Sequence, residues 1–155
     1  MTQADYLTAV LETCDRHVLR LTWAMQTMGI WLPMTATRFK ALRAEEVAVL
    51  EVFTNRFGKL QDTMGTKLFP LVLEIAKEPD DLPAFIDKLN RLEKIGAIAS
   101  VDQWLAFRKV RNQFAHDYPE DSEANAVTIN LAYVQAEDLL RVLVQARDFA
   151  LKRIE

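Results

Sequence analysis

Apolar residues recur at three- and four-residue steps along most of this chain, and that period belongs to the α-helix. The first stripe holds Leu7, Val10, Cys14, Val18, Leu21, Met25 and Met28, and it runs to Gly29 with Pro33 just beyond, a combination that ends helices. The second holds Val47, Leu50, Phe53, Phe57, Leu60, Met64 and Leu68. Pro70 interrupts it, so the helix either ends there or kinks into a short segment through Ile75. Glu78 to Pro83 reads as a turn, with Asp81 a candidate cap and Pro83 suited to a first helical position. Phe85, Ile86, Leu89, Leu92 and Ile95 then predict a short third helix closing at Gly96.

Ser100-Val101-Asp102-Gln103 is a capping-box pattern. It opens a helix that carries Trp104, Phe107, Val110 and Phe114. Pro119 biases Tyr118 away from the helical region, so this helix is expected to end near His116 or Asp117. The last helix begins near Ser122 and carries Ile129, Tyr133, Ala136, Leu140, Leu143, Ala150 and Ile154. β-Branched residues nowhere alternate with polar ones over a strand's length, and only four glycines and five prolines punctuate the chain. No repeat, low-complexity run or linker divides it. The expectation is an all-α fold in one domain over residues 1–155: an antiparallel up-and-down bundle of four long helices plus one or two short ones.

A chain of 155 residues that is half hydrophobic needs no disulfide or metal to hold a core. Its single cysteine, Cys14, lies on the first apolar stripe and reads as a buried structural thiol, and this usage fits a reducing, cytosolic setting. Asp5 and Glu12 replace the basic-then-apolar layout of a signal peptide. No uncharged apolar run reaches the length of a membrane span. The net charge of −3 gives a nucleic acid no global attraction, so any such binding must rest on a local basic patch. Two histidines and one cysteine are too few for a zinc site, and no glycine-rich phosphate loop exists, so neither a metal nor a cofactor is expected. The adjacent acidic pairs Glu45–Glu46, Asp80–Asp81 and Glu120–Asp121 read as solvated faces and helix ends, and most of the tryptophans and phenylalanines read as core. No base-reading aromatic cluster stands apart from that core.

His17 sits beside Cys14, Val18 and Leu21 and reads as a partly buried histidine bonded to a neighbour. His116 differs, because it closes a polar segment with Arg111 and Asn112 just before Asp117, Tyr118 and Pro119. An imidazole with a pKa near neutrality can take and give a proton, and a guanidinium can hold a phosphate and neutralise charge that develops on it. Metal-independent RNA cleavage needs both roles. On a straight helix at 100° per residue, Asn112 and His116 lie about 40° apart, but Arg111 and His116 differ by about 140°. Either the helix unwinds before Pro119 and swings His116 round, or two subunits face each other and build a composite, isologous cleft. The dimer is the preferred expectation, since Arg108, Lys109 and Arg111 from each subunit would then concentrate positive charge at the cleft. By spacing alone the segment reads more readily as a helix C-terminus whose Arg and His satisfy the helix dipole than as a catalytic site.

The stretch Arg111-Asn112-Gln113-Phe114-Ala115-His116 resembles the signature of the HEPN superfamily, an arginine followed after four residues by a histidine. Asp117 and Tyr118 extend it to the His-any-Tyr form of HepT-like toxins. Leu92 to Gly96 with Trp104, and Arg56-Phe57-Gly58-Lys59-Leu60-Gln61-Asp62, are similar to that group as well. The resemblance implies a metal-independent, homodimeric ribonuclease with Arg111 and His116 catalytic, Asn112 accessory, and Arg108 and Lys109 drawing in RNA. It also implies a minimal nucleotidyltransferase as antitoxin, which would transfer AMP to Tyr118 and so place charge and bulk at the cleft mouth. Within the same group, a non-catalytic subunit serving the nucleotidyltransferase is the alternative, and a plain dimeric helical scaffold is a third.

Overall fold

The computed structural model describes residues 1–115 and 121–154. Among these residues the chain is all-helical, and no strand occurs. Helix α1 spans Gln3–Met28 and continues as a 3₁₀ turn, Gly29–Trp31; α2 (Ala36–Lys40) is a short connector. Helix α3 (Ala44–Thr63) passes through a π turn (Met64–Leu68) into α4 (Phe69–Ile75), and α5 (Phe85–Lys94), α6 (Val101–Ala115) and α7 (Ser122–Leu151) follow. Four long rods therefore stand with two short helices, α2 and α5, at the connections.

The rods form a ring in which α1 packs on α3, α3 on α6, α6 on α7 and α7 on α1. Contacts fix the directions. Gln3 bonds Glu74 and His17 meets Arg56, so α1 and the α3–α4 rod run antiparallel. Phe57 meets Phe114 whereas Phe69 meets Trp104, so α6 runs back along α3. The core they enclose is one contiguous cluster in which Leu7, Cys14, Leu21 and Met28 of α1 face Phe53, Phe57 and Leu60 of α3 and Ile129, Ala136 and Leu143 of α7. Each fully buried leucine, isoleucine, methionine or phenylalanine among them contributes roughly 1.5–3 kcal/mol of transfer free energy.

The ends follow from local chemistry. Thr2 and Asp5 form a reciprocal capping box on α1. Ser100 Oγ accepts the Gln103 N–H at the start of α6, and the Glu93 carboxylate accepts the Val101 N–H. Asp121 caps α7 through the N–H groups of Glu123 and Ala124. Helix α5 ends on Gly96 at φ 85°, with Ala97 N–H reaching Leu92 O and Gly96 N–H reaching Glu93 O, a Schellman closure that needs the left-handed conformation.

At Pro70 the rod takes the second of its two expected courses, a short segment through Ile75: Phe69 N–H bonds back five residues to Met64 O, and this wider turn makes room for the proline ring. Other details depart from the sequence reading. Val47 and Ile86 are exposed, and Val49 takes Val47's expected place in the core. Helix α5 starts at Phe85, with the Asp87 carboxylate accepting the Ala84 N–H, so neither Asp81 nor Pro83 opens it. Trp23 stands out of the core, half-exposed. The expected end of α6 near His116 or Asp117 lies outside the described residues. No helix among the described residues is long and apolar enough to cross a membrane.

Candidate functional site

The last turns of α6 lie against the second half of α3, and the contact is set by aromatic packing. Phe57, fully buried on α3, meets the Phe114 ring edge-on with centroids 5.9 Å apart. That contact holds Arg111, one turn earlier, over Gly58. A Cβ built on Gly58 would stand 3.5 Å from Arg111 Cγ and 3.8 Å from Nε, so the arginine stem lies directly along the bare backbone of α3. Its Nη2 donates to Asp62 Oδ2 at 2.5 Å. Glu51, Asn55, Gly58, Asp62, Arg111 and Phe114 are among the residues that border the groove thus formed, of about 390 Å³.

The Arg111–Asp62 pair faces solvent, with side chains 38% and 49% exposed, so it is worth no more than about 1 kcal/mol to the fold. A guanidinium carries five N–H donors and cannot be deprotonated, so the hydrogens that Asp62 does not take can hold an anion such as a phosphodiester. Farther along the same face, Arg56 Nη1 lies 3.0 Å from His17 Nδ1. Arginine only donates, so Nδ1 accepts and the neutral ring keeps its proton on Nε2. Burial first, then the charges of Arg56, Lys59 and Arg16, hold His17 below the usual histidine value of 6.5. The neighbour expected for this histidine is therefore an arginine, and of the three cations acting on it Lys59 borders the Arg111 groove. Burial, with a smaller push from Asp15, raises the Cys14 thiol to about 11, which leaves it inert at neutral pH.

Asn112 lies elsewhere. It is exposed and borders a shallow groove with Leu105, Arg108, Lys109 and Gln113, so Arg111 and Asn112 face different sides of α6, as the helical wheel requires. Arg108 stands with its guanidinium carbon 5.4 Å from the centre of the Phe85 ring. His116 and Tyr118, the general acid–base and modification residues expected from the sequence, lie outside the described residues together with Asp117, Pro119 and Glu120.

Two features of the site escaped the sequence reading. Asp62 was quoted only within a resembling segment, although Gly58 and Asp62, four apart, mark a helix face with a gap and an anion for a partner cation. Trp23, which no apolar stripe singles out, is 50% exposed and borders a wide groove with Leu19, Arg20 and Arg56. That groove shares Glu51 and Asn55 with the Arg111 groove. No family model, no curated protein and no solved structure matches this chain.

Proposed function

We propose that this chain is a metal-independent endoribonuclease, the HepT-like toxin of a HEPN/MNT toxin–antitoxin pair acting in the cytoplasm. One observation supports it above others. Two of the segments that carry the resemblance meet in one groove through residues 58–62 of the first and 111–114 of the second, where Arg111 lies over Gly58 and bonds Asp62. A motif read as eight residues thus acquires a second, sequence-distant half. In this reading His116 takes the proton of a 2′-hydroxyl, which attacks the adjacent phosphorus. Arg111 neutralises the phosphorane, and protonation of the departing 5′-oxygen leaves a 2′,3′-cyclic phosphate and a 5′-hydroxyl. Asn112 orients, Arg108 and Lys109 attract the strand, and a homodimer brings the separated faces of two α6 helices together. A minimal nucleotidyltransferase would silence the site by transferring AMP to Tyr118.

The test is cleavage of single-stranded RNA by purified protein with chelator present. Wild type is expected to yield cyclic-phosphate ends, and Arg111→Ala and His116→Ala to lose the activity. Equal cleavage by all three proteins would end the proposal.

The ion pair to Asp62 favours a second reading, in which the chain is a non-catalytic partner subunit of the nucleotidyltransferase, because the guanidinium already has a counterion. In that case Tyr118 gains the mass of AMP on incubation with the transferase and ATP, while growth arrest on overexpression is unchanged by His116→Ala.

A further inference from the structure

On the other side of Asp62 from the Arg111 groove, α3, α5 and α6 enclose a second pocket of about 350 Å³, within the size of small-ligand sites. Its composition is unlike that of a packing defect. Trp104 and Phe85 supply aromatic wall, Lys88 and Arg108 supply two cations at the rim, and Gln61 supplies an amide. Gln61 is only 4% exposed and its side chain borders the pocket. Trp104 is 1% exposed and its Nε1–H is buried with no acceptor. Buried polar groups are almost always bonded, so an unmet indole N–H on a residue that walls the pocket points to a ligand that bonds it. Gly65 keeps the space open: a Cβ there would stand 3.3 Å from Trp104 Cζ2 and 3.5 Å from Phe85 Cζ. Cζ2 is two bonds from Nε1, so the donor-bearing edge of the indole faces Gly65 on the pocket's floor.

We infer that this pocket binds a nucleotide, with the base between the Trp104 edge and Phe85, its polar edge on Gln61, and its phosphate on Lys88 and Arg108. The aromatic surface suits a planar heterocycle, which stacks irrespective of sequence. A carboxamide offers a donor and an acceptor side by side, as a base edge does. The rim cations then sit where the phosphate leaves the pocket. The ligand is either a free nucleotide or one splayed-out residue of a single-stranded RNA. As a base-selecting subsite of the nuclease the pocket rests on the ribonuclease reading, through Asp62 and Arg108, which border the neighbouring grooves. As a nucleotide site it stands without that reading.

Calorimetry on the full chain tests it, using the four nucleoside 5′-monophosphates and uncleavable 2′-O-methyl oligoribonucleotides. Binding by mononucleotides identifies a free nucleotide as sufficient, and binding by oligonucleotides alone identifies a residue of RNA; either supports the site. Gln61→Met keeps volume and removes the amide, and Lys88→Ala removes a rim charge; each is expected to weaken binding at least about fivefold, the effect of one lost hydrogen bond or charge contact. Thermal melting of both variants verifies that they fold. No binding by any of these ligands, or affinities unchanged in both variants, would overturn the inference. A protein that binds through Gln61 and Lys88 but cuts no RNA would sink the ribonuclease reading alone. RNA cleavage with affinities indifferent to both substitutions would sink the pocket alone.

Discussion

Helix α3 carries an arginine–carboxylate pair at each end, and the two are built differently. At its start Glu46 is buried, 6% exposed, and its carboxylate takes Arg38 at 2.6 and 3.4 Å, the Arg43 backbone N–H at 3.0 Å and Arg43 Nε at 3.3 Å. Those bonds, Arg38 foremost, hold its carboxyl down to about 2. At the other end Asp62 takes a single bond from Arg111, and both side chains face a groove. The first pair ties α2 to α3 through two guanidinium nitrogens on a buried carboxylate. The second fixes an arginine in place yet leaves most of its hydrogens free. A guanidinium and a carboxylate make a buried clamp in one place and a solvent-facing pair in the other, and burial with the number of bonds separates the two.

The comparison breaks most severely if the Phe57–Phe114 contact does not position Arg111. Phe57→Ala is expected to destabilise the fold by about 3–5 kcal/mol and to lose the groove's activity with it. Denaturant unfolding measures the first, and a loss under about 1 kcal/mol would show that Phe57 does not anchor α6.

Glu46→Gln comes next. Since the folded carboxyl titrates below its ordinary 4.5, its contribution is present above pH 4.5 and disappears as pH falls toward 2. Melting temperature should therefore drop on Glu46→Gln at pH 7, and the wild-type advantage should vanish by pH 2. An advantage that grew on acidification would contradict the clamp.

Asp62→Asn should change stability by less than about 1 kcal/mol while tightening RNA binding, because a countercharge leaves the groove. A stability loss matching that of Glu46→Gln would make the two pairs equivalent after all. The smallest effect belongs to Gly58→Ala. Its methyl would meet Arg111 Cγ at an ordinary 3.5 Å, so the helix gains about 0.5–1 kcal/mol and Arg111 stays in place. Loss of RNA cleavage in that variant would show that the stem needs more room than the structure gives it.

The sequence made the rods legible because four buried faces repeat with helical period, as Leu7, Cys14, Leu21 and Met28 do. It misplaced Val47 because the start of α3 is wrapped by Arg38 and Arg43, and the buried Glu46 replaces an apolar residue there. It missed α2, whose five residues are too few to show a period. The exposure of Trp23 was not legible, because periodicity marks a stripe, not how much of its margin the neighbouring helix covers. The Arg111–Asp62 contact joins positions 49 apart in sequence, and a single sequence carries no signal for such a pair. That Arg111 and Asn112 face different sides follows from the helix itself, which fixes the angle between near neighbours.

The claim that this groove cuts RNA is tested most directly by comparing wild type with Arg111→Ala on one single-stranded RNA, in chelator, with products resolved by end chemistry. Cyclic-phosphate ends from wild type and at least about a hundredfold slower cleavage by Arg111→Ala are the predicted results. Cleavage at the wild-type rate by Arg111→Ala, or none by wild type, would contradict it.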